Sequence, residues 1–234
     1  MARSTAALRL LGAAPTIEYT IESVSELGAD GIRIEREVKV DVRKQRASTR
    51  LHLRADVPGK PKADVTLMVV NTAGHAYLTS PGWTGARRGK WLLMTEASAA
   101  QMGVPLDLSA PTSTPPGLDG FQVTGAIGKG TLEGTVEAEP GLKLLGLAAA
   151  LKDPDTRDTL TGTFRSWVTL DPDSGQIVEM RVAGMGNLVS FTSDPALRES
   201  LEQLLSITTA TVTIKQTGEP VTITVPAAQD LIKE

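Results

Sequence analysis

The fold is decided by Thr163-Phe-Arg-Ser-Trp-Val-Thr-Leu-Asp-Pro-Asp-Ser-Gly-Gln-Ile-Val-Glu-Met-Arg-Val182. Phe164 and Trp167 are strand formers, and Asp171-Pro-Asp-Ser-Gly175 has the composition of a tight turn. Apolar residues resume at Ile177 in an extended pattern. The stretch therefore predicts an antiparallel hairpin.

The same alternation of apolar and polar residues extends outward from this hairpin. Period-two patterns predict strands at Thr16–Val24, Ile32–Val42 and Leu51–Ala55, each with one charged face, which is typical of an antiparallel sheet. Further strands are predicted at 65–70, 75–78, 90–94, 121–127, 132–138, 207–214 and 221–225, and helices at 96–102, 142–152 and from Ser193.

Eight or more antiparallel strands and about three short helices predict an α+β fold that is mainly antiparallel β. A strongly curved half-barrel sheet, with a few helices covering its open, apolar concavity, accommodates this pattern. We expect one such domain over residues 1–234. Residues 1–15 would form an N-terminal arm or helix, and residues 104–117 a proline-rich loop or lid.

Composition narrows the possible functions. Apolar residues make up 41% of the 234 positions and aromatic residues only 3%, so the core must be mainly aliphatic. The net charge of -3, without blocks of like charge, argues against nucleic acid as a partner. The absence of cysteine excludes disulfides, thiolate metal sites and a cysteine nucleophile.

The first residues bear on localisation. The segment 6–14 faintly resembles the apolar part of a secretion signal, but Arg9 interrupts it and a predicted strand begins at Thr16. The longest apolar run, Leu144–Leu151, is far shorter than the roughly 20 residues of a membrane span. As it stands, the sequence predicts a cytoplasmic protein. An exported, lipid-anchored protein is the alternative if the natural gene encodes a leader.

Three pieces of the sequence together resemble a known family. They are the hairpin Trp167–Val178, the strand entry Gly89-Lys-Trp-Leu92 after the hairpin that carries Tyr77, and the closing segment Pro220–Ala228. In this order they resemble the LppX/LprG-type lipoproteins of actinobacteria, a branch of the LolA/LolB-like half-barrels.

This resemblance covers residues 16–225. It implies an apolar cavity for acyl chains and no fixed catalytic residues. Members of the family normally carry a signal peptide and a lipidated cysteine, and neither is visible in this sequence.

No motif points to a metal or a cofactor. His52 and His75 are isolated and lack carboxylates at ligand spacing, so we expect neither a metal nor a cofactor. The Asp171–Gly175 segment lacks the bidentate glutamate of a calcium loop and is interpreted as a turn. No serine lies in a Gly-x-Ser-x-Gly elbow, so the catalytic residues, if any, remain unknown.

Apolar and aromatic side chains are the candidates for ligand binding. Methionine repacks readily around irregular ligands, although ordinary core packing is the competing interpretation. The aromatic residues of the central hairpins would either stack on a ligand or plug one end of the barrel. The predicted binding residues are Met68, Tyr77, Trp91, Met94, Met102, Phe164, Trp167, Met180, Met185 and Phe191.

Two hypotheses about function follow. The first is a cofactor-independent cyclase or isomerase that folds a polyketide-like substrate in secondary metabolism and accelerates ring formation by preorganisation. We favour it because a relative without a visible export signal needs a cytosolic ligand. The alternative is a non-enzymatic carrier of acylated lipids at the cell envelope. Either way the expected partner is an apolar small molecule, polyketide or lipid, and not nucleic acid. Membrane contact is expected only with a lipidation signal.

Overall fold

A single sheet of eleven antiparallel strands organises the described part of the molecule. The computed structural model describes residues 7, 9–26, 31–95, 114–118, 120–128, 130–147, 158–184 and 195–232. The strands are β1 (Thr16–Ser25), β2 (Gly31–Asp41), β3 (Arg46–Asp56), β4 (Ala63–Thr72), β5 (His75–Thr79), β6 (Leu92–Met94), β7 (Gln122–Ile127), β8 (Thr131–Glu137), β9 (Thr163–Leu170), β10 (Ile177–Ala183) and β11 (Thr208–Thr217).

The strand order is β6-β5-β4-β3-β2-β1-β11-β10-β9-β8-β7, and the sheet is open and curved. It consists of two meanders, β1 to β6 and β7 to β11, joined by the pairing of β1 with β11. The mainly antiparallel α+β half-barrel predicted from the sequence is thereby confirmed, including the β9–β10 hairpin.

The pairing register assigns each side chain to one of two faces, because residues directly opposite each other point the same way. One such row crosses six strands: Tyr19, Val38, Thr49, Val69, Leu78 and Leu92. We call the face that carries this row the inner face. The opposite, outer face carries ion pairs such as Lys39 with Glu18 and Arg165 with Glu133.

Two described helices lie beside the sheet, α1 (Ala138–Leu144) and α2 (Pro195–Ser206). Helix α1 packs on β8 and β9. Gly141 makes the close approach possible, since a Cβ there would overlap the ring of Phe164. A helical segment that includes residues 7 and 9–12 adds Ala7 and Leu11 to the same core.

Helix α1 begins and ends earlier than the predicted range of 142–152. Pro140 is tolerated in the first helical turn, where its missing N–H has no intrahelical partner to lose. The end is a Schellman motif: Gly146 has φ +81°, its N–H donates to the Lys143 carbonyl, and the Leu147 N–H donates to the Leu142 carbonyl. The predicted continuation of the helix through residue 147 is therefore wrong, and residues 148–157 lie outside the described part.

The strand predicted at 221–225 is also wrong. Residues 221–227 form no strand, although Val221 is buried and its neighbour Thr222 is exposed. The chain then makes a 3-10 turn at Ala228–Asp230 and a single parallel bridge between Leu231 and Trp91. An extended segment whose side chains alternate between buried and exposed has the same sequence pattern as a strand, even when no neighbouring strand is hydrogen-bonded to it.

The predicted helix at 96–102 and most of the predicted lid at 104–117 lie outside the described residues. Residues 114 and 116–118 form a bend and a turn. Within the described ranges, no helix combines the length and hydrophobicity needed to cross a bilayer.

Candidate ligand-binding face

Two regions of the inner face differ in how well they are covered. The closed region comprises the inner side of β1 and β8 to β11 with α1 packed over it. Its largest side chains, among them Phe164, Ile21 and Met180, are almost completely buried. It is a packed aliphatic core, as the low aromatic content predicts.

The open region lies on β2, β3 and β4. Here a set of inner-facing apolar side chains is only partly buried, and Val65 is 40% exposed, whereas Val38, Val40 and Ala47 on the same face of β2 and β3 are buried. The register places them in adjacent rows, so they form one continuous patch. The open region consists of Ile32, Ile34, Leu51, Leu53, Ala55, Val65 and Leu67.

A single row shows the boundary between the two regions. Met180, Val212 and Ile21 follow one another across β10, β11 and β1, each with 2% exposure or less. The next position, on β2, is Arg36. Leu51 and Leu67, both partly buried, continue the row on β3 and β4.

Arg36 is the one charged side chain that the register places on the inner face of the described strands. Its Nη1 donates to the Lys143 carbonyl (3.1 Å), and its Nη2 donates to the Leu144 carbonyl (2.8 Å) and to Ser23 Oγ (3.1 Å). The Ser23 hydroxyl in turn donates to the Leu144 carbonyl at 2.6 Å. Arg36 thus caps the C-terminal end of α1, where the backbone carbonyls carry partial negative charge.

Burial affects the ionisation of this group and of its neighbour Tyr19. Desolvation lowers the pKa of Arg36, and the nearby Tyr19 partly opposes that shift. Desolvation raises the pKa of Tyr19 to about 12, against the attraction of the Arg36 charge. Around neutral pH the face therefore presents a guanidinium cation beside a neutral phenol.

Three buried polar atoms of the described residues have no hydrogen-bond partner: Arg36 Nε, Asn71 Oδ1 and Ser166 Oγ. All three side chains belong to the inner face. Leaving such atoms unpaired typically costs about 1–3 kcal/mol each. Ser166 lies within the closed region, whereas Arg36 lies at its edge.

The structure places the predicted binding residues on different faces. Phe164 and Met180 belong to the closed region, and Met94 is buried in a small inner-face cluster with Ala76 and Leu78. Their role in ligand binding stays a prediction, because their burial fits core packing equally well.

The other predicted residues lie elsewhere. Met68 is on the outer face and 38% exposed, and Tyr77, also on the outer face, stacks on His75 with ring centroids 6.4 Å apart. Trp167 alternates with Phe164 and so faces outward, under the Arg165 guanidinium at 5.1 Å. Trp91 receives the C-terminal segment at the β6 edge. Met102, Met185 and Phe191 lie outside the described residues.

Arg36 was missing from the residues predicted by sequence, although a signal was present. The even positions of β2 are Ile32, Ile34, Arg36, Val38 and Val40. Four of these five positions are apolar, so the alternation itself puts a charge on the apolar face. A charged residue that interrupts a regular alternation of apolar and polar residues is often at a functional site.

Polar features outside the inner face have local roles. In the β9–β10 turn, Asp171 Oδ1 accepts hydrogen bonds from the Ser174 N–H and hydroxyl, both at 2.7 Å, and these bonds lower the pKa of Asp171. His52 pairs with Asp64 on the outer face. Among the residues with described positions, no group of three or more potential ligands could hold a metal ion.

A shallow depression of about 210 Å³ lies at one end of β1 and β2. Asp41, Arg43, Lys44 and Pro220 are among its lining residues. It is smaller than typical ligand pockets, which run from ~300 Å³ upward, and it is rich in charge. The depression therefore fits an apolar ligand less well than the open region does.

Comparison with known proteins adds the fold relationship. No protein-family model and no curated protein sequence matches this chain. Among solved structures it is similar to LprF from Mycobacterium bovis, with 13% identity over 97% of this chain and 96% of that one, and a TM-score of 0.50. The chain has an LprF-like fold.

Two other solved structures are more distant in shape. The Mycobacterium tuberculosis lipoprotein LppX matches 95% of this chain and 97% of its own, with 12% identity and a TM-score of 0.44. A bifunctional dehydratase-cyclase domain from ambruticin biosynthesis matches over 93% of this chain and 82% of its own, with 13% identity and a TM-score of 0.19. Neither similarity bears on function. Membership of the LppX/LprG-type family stays a prediction.

Proposed function

We propose that the inner face binds an extended apolar molecule at its open region, and that the protein is a non-enzymatic carrier of acyl chains. The observation that carries this proposal is the continuous, partly exposed patch of the open region on a sheet that elsewhere buries the same kind of side chain. Contiguous exposed apolar surface of this type usually marks a binding site.

The energetics favour an elongated ligand. Each methylene group transferred from water to an apolar surface contributes about 0.8 kcal/mol. The patch crosses three neighbouring strands, which are spaced by about 4.8 Å each. A chain lying across them gains binding energy in proportion to its length and needs no reacting group.

The cyclase hypothesis gains no specific support from this face. Among the described inner side chains, the register places one cation, Arg36, and one buried phenol, Tyr19, and this phenol keeps its proton until the pH approaches its pKa of about 12. A group with that pKa is poorly matched to general-base work near neutral pH. The carrier is therefore the proposed function.

Two neighbouring residues of β4 provide a matched test. Leu67 points inward into the open region and Met68 points outward, and both are apolar. We expect Leu67→Arg to weaken binding of a neutral fluorescent apolar probe, such as N-phenyl-1-naphthylamine, by at least tenfold. Met68→Arg should change it by less than twofold.

The control is a thermal melt of both variants, which should match within a few degrees because neither position is fully buried. Equal weakening by the two substitutions, or no binding by the wild type, would contradict the proposal. If the probe binds as expected, native mass spectrometry of the protein purified from its host would identify any acylated molecule that the protein retains.

A further inference from the structure

The position of Arg36 raises a question of charge compensation. A cation partly removed from water is costly unless an anion or several good acceptors satisfy it. Arg36 has two helix carbonyls and the Ser23 hydroxyl, all neutral groups. Within the described part of the chain, no ion pair joins Arg36 to a carboxylate.

The guanidinium also has unused hydrogen-bonding capacity. It carries five N–H donors, and three of them bond Lys143, Leu144 and Ser23. The two unused donors are the Nε hydrogen and one hydrogen of Nη1. Nε has no partner. Nη1 bonds the carbonyl of the exposed residue Lys143, whereas Nη2 bonds the buried residues Ser23 and Leu144.

The surroundings of Arg36 define what could use this capacity. On one side the row continues into Ile21 and the closed region, and on the other into Leu51 and Leu67 of the open region. A ligand on the open region would therefore have one end at Arg36 and its length on apolar side chains. Guanidinium groups match the geometry of carboxylate and phosphate oxygens.

We propose that Arg36, assisted by Ser23, recognises the anionic head of a single-chain amphiphile whose apolar chain lies across the open region. The head group is a carboxylate or a phosphate monoester, which share the same oxygen geometry toward the guanidinium. This inference rests on the proposed function and adds to it a class of ligand and a direction of binding. The C-terminal carbonyls of α1 hold the guanidinium in place before the ligand arrives.

A purely structural role for Arg36 makes a different prediction. If the residue served only to cap α1, the wild-type protein would bind acidic and neutral amphiphiles of equal chain length equally well. The affinity ratio between the two is thus a readout that capping alone does not change.

The experiment measures displacement of N-phenyl-1-naphthylamine by palmitic acid, hexadecanol and 1-palmitoyl lysophosphatidic acid. The wild type should bind at least one of the two acidic compounds ten or more times as tightly as hexadecanol. Arg36→Gln should reduce this preference to threefold or less while keeping hexadecanol affinity within about threefold, and Arg36→Lys should retain part of it.

The outcomes separate the two proposals. If no amphiphile displaces the probe and the probe itself does not bind, the carrier proposal fails and this inference fails with it. If hexadecanol binds as tightly as both acids, the carrier proposal stands and only the role of Arg36 is overturned. A preference that persists in Arg36→Gln would overturn it as well.

A wild-type ratio near one overturns the role of Arg36 even if Arg36→Gln does not fold, and Arg36→Lys then tests whether a measured preference depends on this residue. Comparison of the two acids identifies the head group: preference for palmitic acid indicates a carboxylate ligand, and preference for lysophosphatidic acid a phosphate ligand. Both acids are measured below their critical micelle concentrations, so that aggregates do not mimic binding.

Discussion

The closed and open regions of the inner face share one sheet and one sequence pattern, yet only the closed region is sealed. Met180, Val212 and Ile21 are buried, whereas Leu51 and Leu67 in the same row remain partly exposed. Hydrophobicity does not distinguish them. The difference comes from what packs above each: α1 and the helical segment near residue 11 contribute to the core of the closed region.

This contrast assigns different tasks to similar side chains. Burial in the closed region provides the stability of the fold, while incomplete burial in the open region leaves free energy to be gained from a ligand. Arg36 marks the border. It also links the two regions, because it holds the end of α1 while facing the open strands.

The largest expected effect is a difference in unfolding free energy between substitutions in the closed region and in the open region. Leu142→Ala, in α1 and 2% exposed, should lower the free energy of unfolding by about 3–4 kcal/mol because it leaves a cavity in a sealed core. Leu53→Ala, in the open region, should cost about 1 kcal/mol because water already reaches that side chain. Urea denaturation of both variants measures the difference, and equal losses would show that the open region is packed like the core.

The second effect concerns pH. The folded state raises the pKa of Tyr19 from its ordinary value of 10.0 to about 12, so the unfolded chain loses that proton first as pH rises. Stability should therefore be intact below pH 10 and should fall by roughly 3 kcal/mol as pH rises through about 12.

Tyr19→Phe is the matched control, since it keeps the ring and removes the titrating group. The variant should lose this alkaline slope, and the phenolate absorbance titration should lose its component near pH 12. A slope that is identical in wild type and variant would mean that Tyr19 is not sealed in the closed region.

The smallest effect probes the border itself. Gly146→Ala forces a side chain into a left-handed conformation with φ +81°, and its Cβ would come within 2.9 Å of Ile34 Cδ1. We expect a loss of about 1–2 kcal/mol in unfolding free energy. Because the end of α1 should shift away from Ile34, probe binding at the open region should change as well. Gly59→Ala, at φ +75° with open space around it, controls for backbone strain alone.

Much of the fold could be predicted because its determinants are local. The alternation in β1, β2 and β3 and the turn chemistry of Asp171–Gly175 depend on neighbouring residues only, and they appear in the structure as predicted. The end of α1 was also encoded locally, by Gly146, but its signal was outweighed by the apolar run that follows it.

The candidate site was harder to predict because it depends on contacts far apart in sequence. The methionine and aromatic candidates were chosen by residue type, and type does not reveal the face: Phe164 and Trp167 lie three residues apart on opposite faces of β9. Arg36 acquires its partners from Leu144, 108 positions away, and its border position from the strand register.

The sequence by itself determined most of the strands, which side of each is apolar and where the β9–β10 hairpin turns, since period-two patterning and turn propensity act over a few residues. Only the tertiary structure decided that β1 pairs with β11, that α1 seals one part of the inner face and leaves another open, and that a single arginine lies between them. These features arise from packing between distant segments, where geometry rather than local preference sets the free energy.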